Sequence, residues 1–143
     1  MQEFEPYPIE ILQPENVSIN FLESENTDIL LVKLEGDLPD GSKASKDCEY
    51  ISQQLGLAML SFQASRVILD FTELGYRYGN SIMLALDPLY LIKTSEGTAV
   101  KHAFILSDRN KYGLSSLWGF DIDNPPKGIF YTMEEAYEYV SRR

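Results

Sequence analysis

The period of apolar positions changes along the chain, and each change marks an element. "VSINFL" (17–22) alternates apolar and polar residues, the period of a half-buried strand. "DILLVKLEGDL" (28–38) is apolar and β-branched, and "SENTD" between the two is a polar turn, so the pair predicts an antiparallel hairpin. "PDGS" (39–42) is a loop. Cys48, Ile51, Leu55, Ala58, Met59 and Phe62 then fall on one stripe of a helix. "SRVILDF" (65–71) is nearly continuous apolar, as expected of a strand buried on both faces.

A second helix is expected from about Asn80 towards Thr94. Pro88 predicts a kink or break near Asp87, because proline removes an intrahelical hydrogen bond, leaves the carbonyl of Leu84 short of a partner and biases the residue before it away from helix. "KHAFILSD" (101–108) reads as a strand. "NKYGLSSLWGF" (110–120) reads as a short helix with Leu114, Leu117 and Trp118 inward and Tyr112 in the core or at its rim, closed by a left-handed Gly119. "GIFYT" (128–132) is a last strand. Thr132 and Glu135 form a capping box that opens the terminal helix, whose negative end suits Arg142 and Arg143.

The order β-β-α-β-α-β-α-β-α implies an α/β domain: a mixed sheet of about five strands with about four helices packed on it. Residues 17–143 make this single domain. Residues 1–16 carry Pro6, Pro8 and Pro14, which interrupt any helix or central strand, and read as an extended arm.

Charge narrows the partners. The chain of 143 residues has 12 Lys plus Arg against 22 Asp plus Glu, a formal charge of −10. Such acidity disfavours nucleic acid and anionic lipid surfaces and suits a basic protein partner. No apolar run approaches a membrane span, and "MQEFEPYPIE" lacks the apolar core of a secretory signal, so the cytoplasm is the expected compartment.

Catalytic chemistry finds few candidates. Cys48 is the only cysteine and lies on an apolar stripe, where an inert thiol is expected. His102 is the only histidine and stands far along the chain. One His and one Cys supply neither a usual zinc site nor an evident dyad, and no dinucleotide, Walker or nucleophile-elbow motif occurs. Asp70, at the end of an apolar strand, is expected to accept hydrogen bonds that orient the following turn, with Glu73 as the only local second carboxylate. No enzyme activity, metal or cofactor is expected.

The chain resembles the STAS family, the fold of bacterial anti-sigma-factor antagonists, over about residues 17–140. Three stretches carry the resemblance. "LLVKLEGDL" is similar to the family's early strand and Gly-acid turn. "RVILDFTELGYRYGNSIMLAL" is similar to its central strand and the helix after it. "GLSSLWGFDIDNPPKGIFYTMEEAYEYV" is similar to its C-terminal end. The family typically reads Asp-Ser-Ser-Gly at the start of that middle helix, and its first Ser is phosphorylated. Here Gly79, Asn80, Ser81 and Ile82 stand there. Asn80 replaces the acceptor, Gly79 replaces the acid, and Ser81 is the only hydroxyl kept. The family's phospho-switch therefore does not carry over intact, and Ser81 is the remaining candidate for phosphorylation.

The resemblance implies a regulatory protein-interaction module with a protein partner, kinase-like or basic. The residues expected to meet it are Tyr76, Arg77, Tyr78, Asn80 and Ser81 and the helix that follows. Tyr and Arg are the types that dominate binding hot spots, and at least one of Tyr76 and Tyr78 should be exposed. Asn80 and Ser81 are also good N-cap residues, which accounts for both without any partner. The helix "NSIMLALDPLYLIKTSEG" is apolar around more of its circumference than a sheet can cover. Its cover should be the arm, through Phe4, Tyr7, Ile9, Ile11 and Leu12, or a homodimer, or a partner. The alternative function is a lipid- or nucleotide-binding domain or enzyme with its site at the same helix N-terminus.

Overall fold

The computed structural model describes residues 2–24 and 27–142. Part of the expected turn at 24–28 and Arg143 lie outside the described residues.

Strands β1 (Val17–Glu23), β2 (Ile29–Asp37), β3 (Arg66–Gly75), β4 (Lys101–Ile105) and β5 (Ile129–Phe130) form one sheet in chain order. The pair β1–β2 is antiparallel, and every later neighbour is parallel. Parallel neighbours need crossovers, and helices supply them. Helix α1 (Ser45–Phe62) joins β2 to β3, α2 (Ser81–Leu86) and α3 (Pro88–Leu91) join β3 to β4, and α4 (Lys111–Trp118) joins β4 to β5. Helix α5 (Met133–Ser141) closes the chain. The expected mixed α/β sheet is present, with the second helix split in two.

The core is divided by the sheet. Val67, Leu69 and Phe71 of β3 face the larger cluster, with Cys48, Ile51, Leu55 and Met59 of α1 and Ile82, Ala85 and Leu86 of α2. Ile68, pointing the other way, meets Ala103, Ile105 and the α5 residues Ala136 and Val140. Each Val, Leu, Ile, Phe or Met among them gains roughly 1.5–3 kcal/mol on full burial. That gain on both faces places "VILDF" at the centre of the sheet.

Strand β3 runs four residues further than the apolar run suggests. Its register against β2 slips between Lys33↔Asp70 and Glu35↔Glu73, so β3 carries one extra residue. Asp70 stabilises this bulge: one of its carboxylate oxygens accepts from Thr72 N at 3.0 Å and from the Thr72 hydroxyl at 2.5 Å. Asp70 thus sits inside the strand and organises the bulge rather than the turn after the strand.

Pro88 breaks the second helix as expected, but the backbone at Asp87 stays helical (φ −49°, ψ −41°). The carbonyl of Leu84 is not orphaned, because Asp87 N reaches it at 3.2 Å in a tighter turn. Pro88 then serves as the first residue of α3, where its missing N–H costs nothing. Helicity ends at Ile92, short of Thr94.

Two side chains fix the N-terminal segment. Buried Asp47 accepts from Asn16 N (2.8 Å), Asn16 Nδ2 (2.9 Å) and Val17 N (3.1 Å), which sets the start of β1. Gln53 of α1 accepts from Leu12 N and donates to Glu10 O. Residues 2–16 contribute no strand or helix. Phe4, Tyr7, Ile9 and Ile11 remain exposed, so the arm does not cover α2 or α3.

Candidate functional site

The turn between β3 and α2 is held from three sides. Leu38 N donates to Gly75 O (2.9 Å), Tyr76 N to Arg109 O (3.1 Å), and Gly41 N to Tyr78 O (3.2 Å). The contact with the 39–42 loop requires glycine. Gly79 has φ +117°, and a Cβ there would lie 2.8 Å from the Cα of Gly41. Helix α4 presses on the same turn, since a Cβ on Gly113 would lie 2.4 Å from Arg77 O.

This packing sorts the five expected contact residues. Tyr76 is buried and its hydroxyl donates to Gly79 O, so its role is to brace the turn from inside. It offers a partner no surface, because α4 covers its ring. Tyr78 is 58% exposed and lies within reach of Arg77, whose guanidinium carbon is 5.9 Å from the ring centroid. Arg77 grips Asp40 through two bonds, Nε–Oδ1 at 3.2 Å and Nη2–Oδ2 at 2.6 Å. That bond to Asp40 holds the guanidinium above its usual pKa.

Asn80 is exposed and occupies the cap position, yet its side chain makes no capping bond. Its φ of −98° and ψ of 1° depart from the extended geometry a side-chain cap needs, and only its carbonyl serves the helix, accepting from Met83 N. Ser81 is half-buried and its hydroxyl donates to Gly41 O at 3.4 Å. Neither residue therefore caps α2 as its type suggests.

The neighbouring residues include two that sequence reasoning missed. Arg109 ties the ends of two strands together: Nη2 meets Asp37 Oδ1 at 2.6 Å, while Nη1 meets Glu73 O at 2.9 Å and Glu73 Oε2 at 3.3 Å. Asn110 is buried and donates to Phe71 O (2.6 Å) and Leu74 O (2.9 Å), while its Oδ1 accepts from Ser107 N (3.1 Å). The one available sequence signal was their place directly after the strand "KHAFILSD", where loop residues meet the end of β3. Together Asp37, Asp40, Arg77 and Arg109 line a crevice of about 350 Å³ beside the turn.

The remaining reactive candidates lie apart from this turn. Cys48 is fully buried, and burial first, then the nearby Asp47 and Glu49 charges, push its thiol up to about 12. His102 packs edge-on against Tyr90 and Phe104, its Nδ1–H donates to Val100 O at 3.3 Å, and burial lowers its pKa. Among the described residues no group of three or more His, Cys, Asp or Glu side chains is placed to hold a metal ion, and no helix is long and apolar enough to cross a membrane.

The architecture is STAS-like: a mixed sheet opened by a hairpin, with α2 following the central strand. An anti-sigma factor antagonist from Mycobacterium paratuberculosis, known from its crystal structure, superposes with a TM-score of 0.64 at 12% identity, covering 92% of this chain and 99% of the other. No protein-family description matches the sequence, and no curated protein matches it significantly. The likeness shows a STAS-like fold.

Proposed function

We propose that the chain is a non-enzymatic regulatory module that docks a protein partner through the 77–81 turn and helix α2. The observation that carries this reading is the exposed run Arg77, Tyr78, Met83 and Leu84. An aromatic ring and a guanidinium stand on a turn braced from beneath by Tyr76, and two exposed apolar side chains, Met83 and Leu84, follow on α2. A rigid, preformed patch of these residue types loses little entropy on binding. The solved structure with the same fold is named an anti-sigma factor antagonist, which supports a regulatory protein as the partner. The formal charge of −10 favours a basic surface on that partner, the resemblance adds a kinase-like protein as the other partner class, and the cytoplasm is the compartment that fits such a role.

The switch differs from the family's. Asn80 has no hydroxyl to phosphorylate. Ser81 could accept a phosphate of about −2 charge, but its hydroxyl is engaged with Gly41. The module therefore docks without depending on a phosphate at position 80.

The test compares full-length wild type with Arg77→Ala and Tyr78→Ala. The partner is captured from the native cell, identified, purified and titrated directly. Both variants should bind it at least tenfold more weakly while melting at the wild-type temperature. Unchanged affinity in both would place the interface elsewhere.

The alternative, a lipid or nucleotide site at the N-terminus of α2, has less support. That helix has six residues, and the crevice beside it is small and crossed by the Arg77–Asp40 and Arg109–Asp37 ion pairs.

A further inference from the structure

A second groove, larger than the crevice beside the turn, lies where Met83 of α2, α3, the start of β4 and the end of α4 converge. It encloses about 670 Å³. Its wall is a continuous aromatic row. The ring centroids of Tyr90 and His102 are 5.5 Å apart, those of His102 and Phe104 5.4 Å, those of Phe104 and Trp118 5.1 Å, and those of Trp118 and Phe120 6.5 Å. Trp118 is held in place by its Nε1–H, which points to Met83 Sδ at 3.2 Å.

The charge of the groove is opposite to that of the chain. Lys101 and Lys127 line it and, among the described residues, no carboxylate does, although acids outnumber bases 22 to 12 overall. Lys101 is engaged with Arg142 O and the Tyr139 ring. Lys127 is exposed and makes no ion pair with any described residue.

The N-terminal arm has the complementary chemistry. It reads "QEFEPYPIE" over residues 2–10, with acids at Glu3, Glu5 and Glu10 and apolar side chains at Phe4, Tyr7 and Ile9. Phe4 is 92% exposed and Tyr7 88%. Pro6 and Pro8 hold the segment extended, and extended proline-bearing segments dock in aromatic-lined grooves because little entropy remains to be lost. Gln53 anchors the arm at Glu10 and Leu12, which leaves residues 2–9 free of the body. Eight residues at about 3.1 Å each reach roughly 25 Å.

We propose that the arm of one copy seats in the aromatic groove of a second copy, with Phe4 and Tyr7 against the Tyr90–Trp118–Phe120 wall and Glu3 or Glu5 at Lys127. Reciprocal exchange closes a two-fold dimer. Each large aromatic buries roughly 150–250 Å². Two arms, counted on both sides of each contact, reach on the order of the 1,200–2,000 Å² of a stable interface. Met83 borders both surfaces, but Arg77 and Tyr78 do not line the groove, so variants at those two residues separate the failure of the dimer from that of the docking reading.

The experiment is sedimentation of the full-length chain across micromolar to millimolar concentration, paired with the indole N–H resonance of Trp118, the only tryptophan. Wild type should dimerise. Phe4→Ser with Tyr7→Ser should weaken the dimer at least tenfold and shift the Trp118 resonance, while Arg77→Ala should change neither readout. Lys127→Glu should weaken the dimer similarly, and Glu3→Lys with Glu5→Lys in the same chain as Lys127→Glu should restore it, which a merely structural lysine would not allow. A monomer at every concentration overturns the proposal, as does a dimer indifferent to both the arm and Lys127. A monomer whose Trp118 resonance still moves with the arm variant would mean the arm folds back onto its own groove, and that too overturns the exchange.

Discussion

Gly79 and Gly41, far apart in sequence, touch backbone to backbone where the turn before α2 crosses the loop after β2. A Cβ added to Gly79 would come within 2.9 Å of Gly41 N and 2.8 Å of its Cα. Gly79→Ala also forces a side chain into φ +117°. Strain of this kind costs of order 1–3 kcal/mol before any clash is counted. Urea denaturation should show a loss of at least that size. Gly97→Ala, also at positive φ but with nothing within 4 Å of the new Cβ, should lose less. Equal losses would mean that the close approach is not maintained in solution.

Asn110→Ala should destabilise by about 1–3 kcal/mol, because it leaves the carbonyls of Phe71 and Leu74 without their buried donor. Asn110→Asp should lose more, since it places a carboxylate against the same two carbonyls. Chemical denaturation measures both, and a neutral Asn110→Ala would remove Asn110 from the support of the turn.

The Cys48 thiol should be silent in the folded protein. Its pKa rises from the ordinary 9.0 to about 12, so almost no thiolate exists near neutrality, and the side chain is fully buried. A disulfide reagent such as Ellman's should react only as fast as the chain unfolds. The folded state holds the proton more tightly than the unfolded state, so this group's contribution to stability is complete below pH 9.0 and is lost as pH rises through about 12. A Cys48→Ala chain should lack that alkaline component.

His102 has the opposite sign. Burial lowers its pKa below the ordinary 6.5, so the unfolded chain binds the proton more readily. Its contribution to stability is present above pH 6.5 and is lost as pH falls. The difference in unfolding free energy between wild type and His102→Phe should shift against wild type between pH 7.5 and pH 5.5. A pH-independent difference would show that the imidazole is solvated in the folded state.

The elements themselves were legible in the chain because local periodicity and local stops create them. The alternation of "VSINFL", the unbroken "RVILDF", the helical stripe from Cys48 to Phe62 and the Thr132–Glu135 cap each act within a few residues, and each appears close to its expected place. Pro88 also split the second helix where its missing N–H required. What the pattern could not contain was the company each residue keeps. Tyr76 and Tyr78 are the same residue type two positions apart, yet α4 buries one and leaves the other in solvent. Asn80 looks like a cap, but the contact of Gly79 with Gly41 sets the approach to the helix and its side chain is left free. Arg109 and Asn110 hold the end of β3 only because parallel pairing brings the end of β4 beside it. The aromatic groove joins Tyr90, His102 and Trp118, residues from three separate elements. Local sequence determines which segments are strands and helices, because propensity and capping act over one or two turns. Burial, ion pairing and the shape of a site depend on long-range packing, and that was decided only when the sheet and its helices came together.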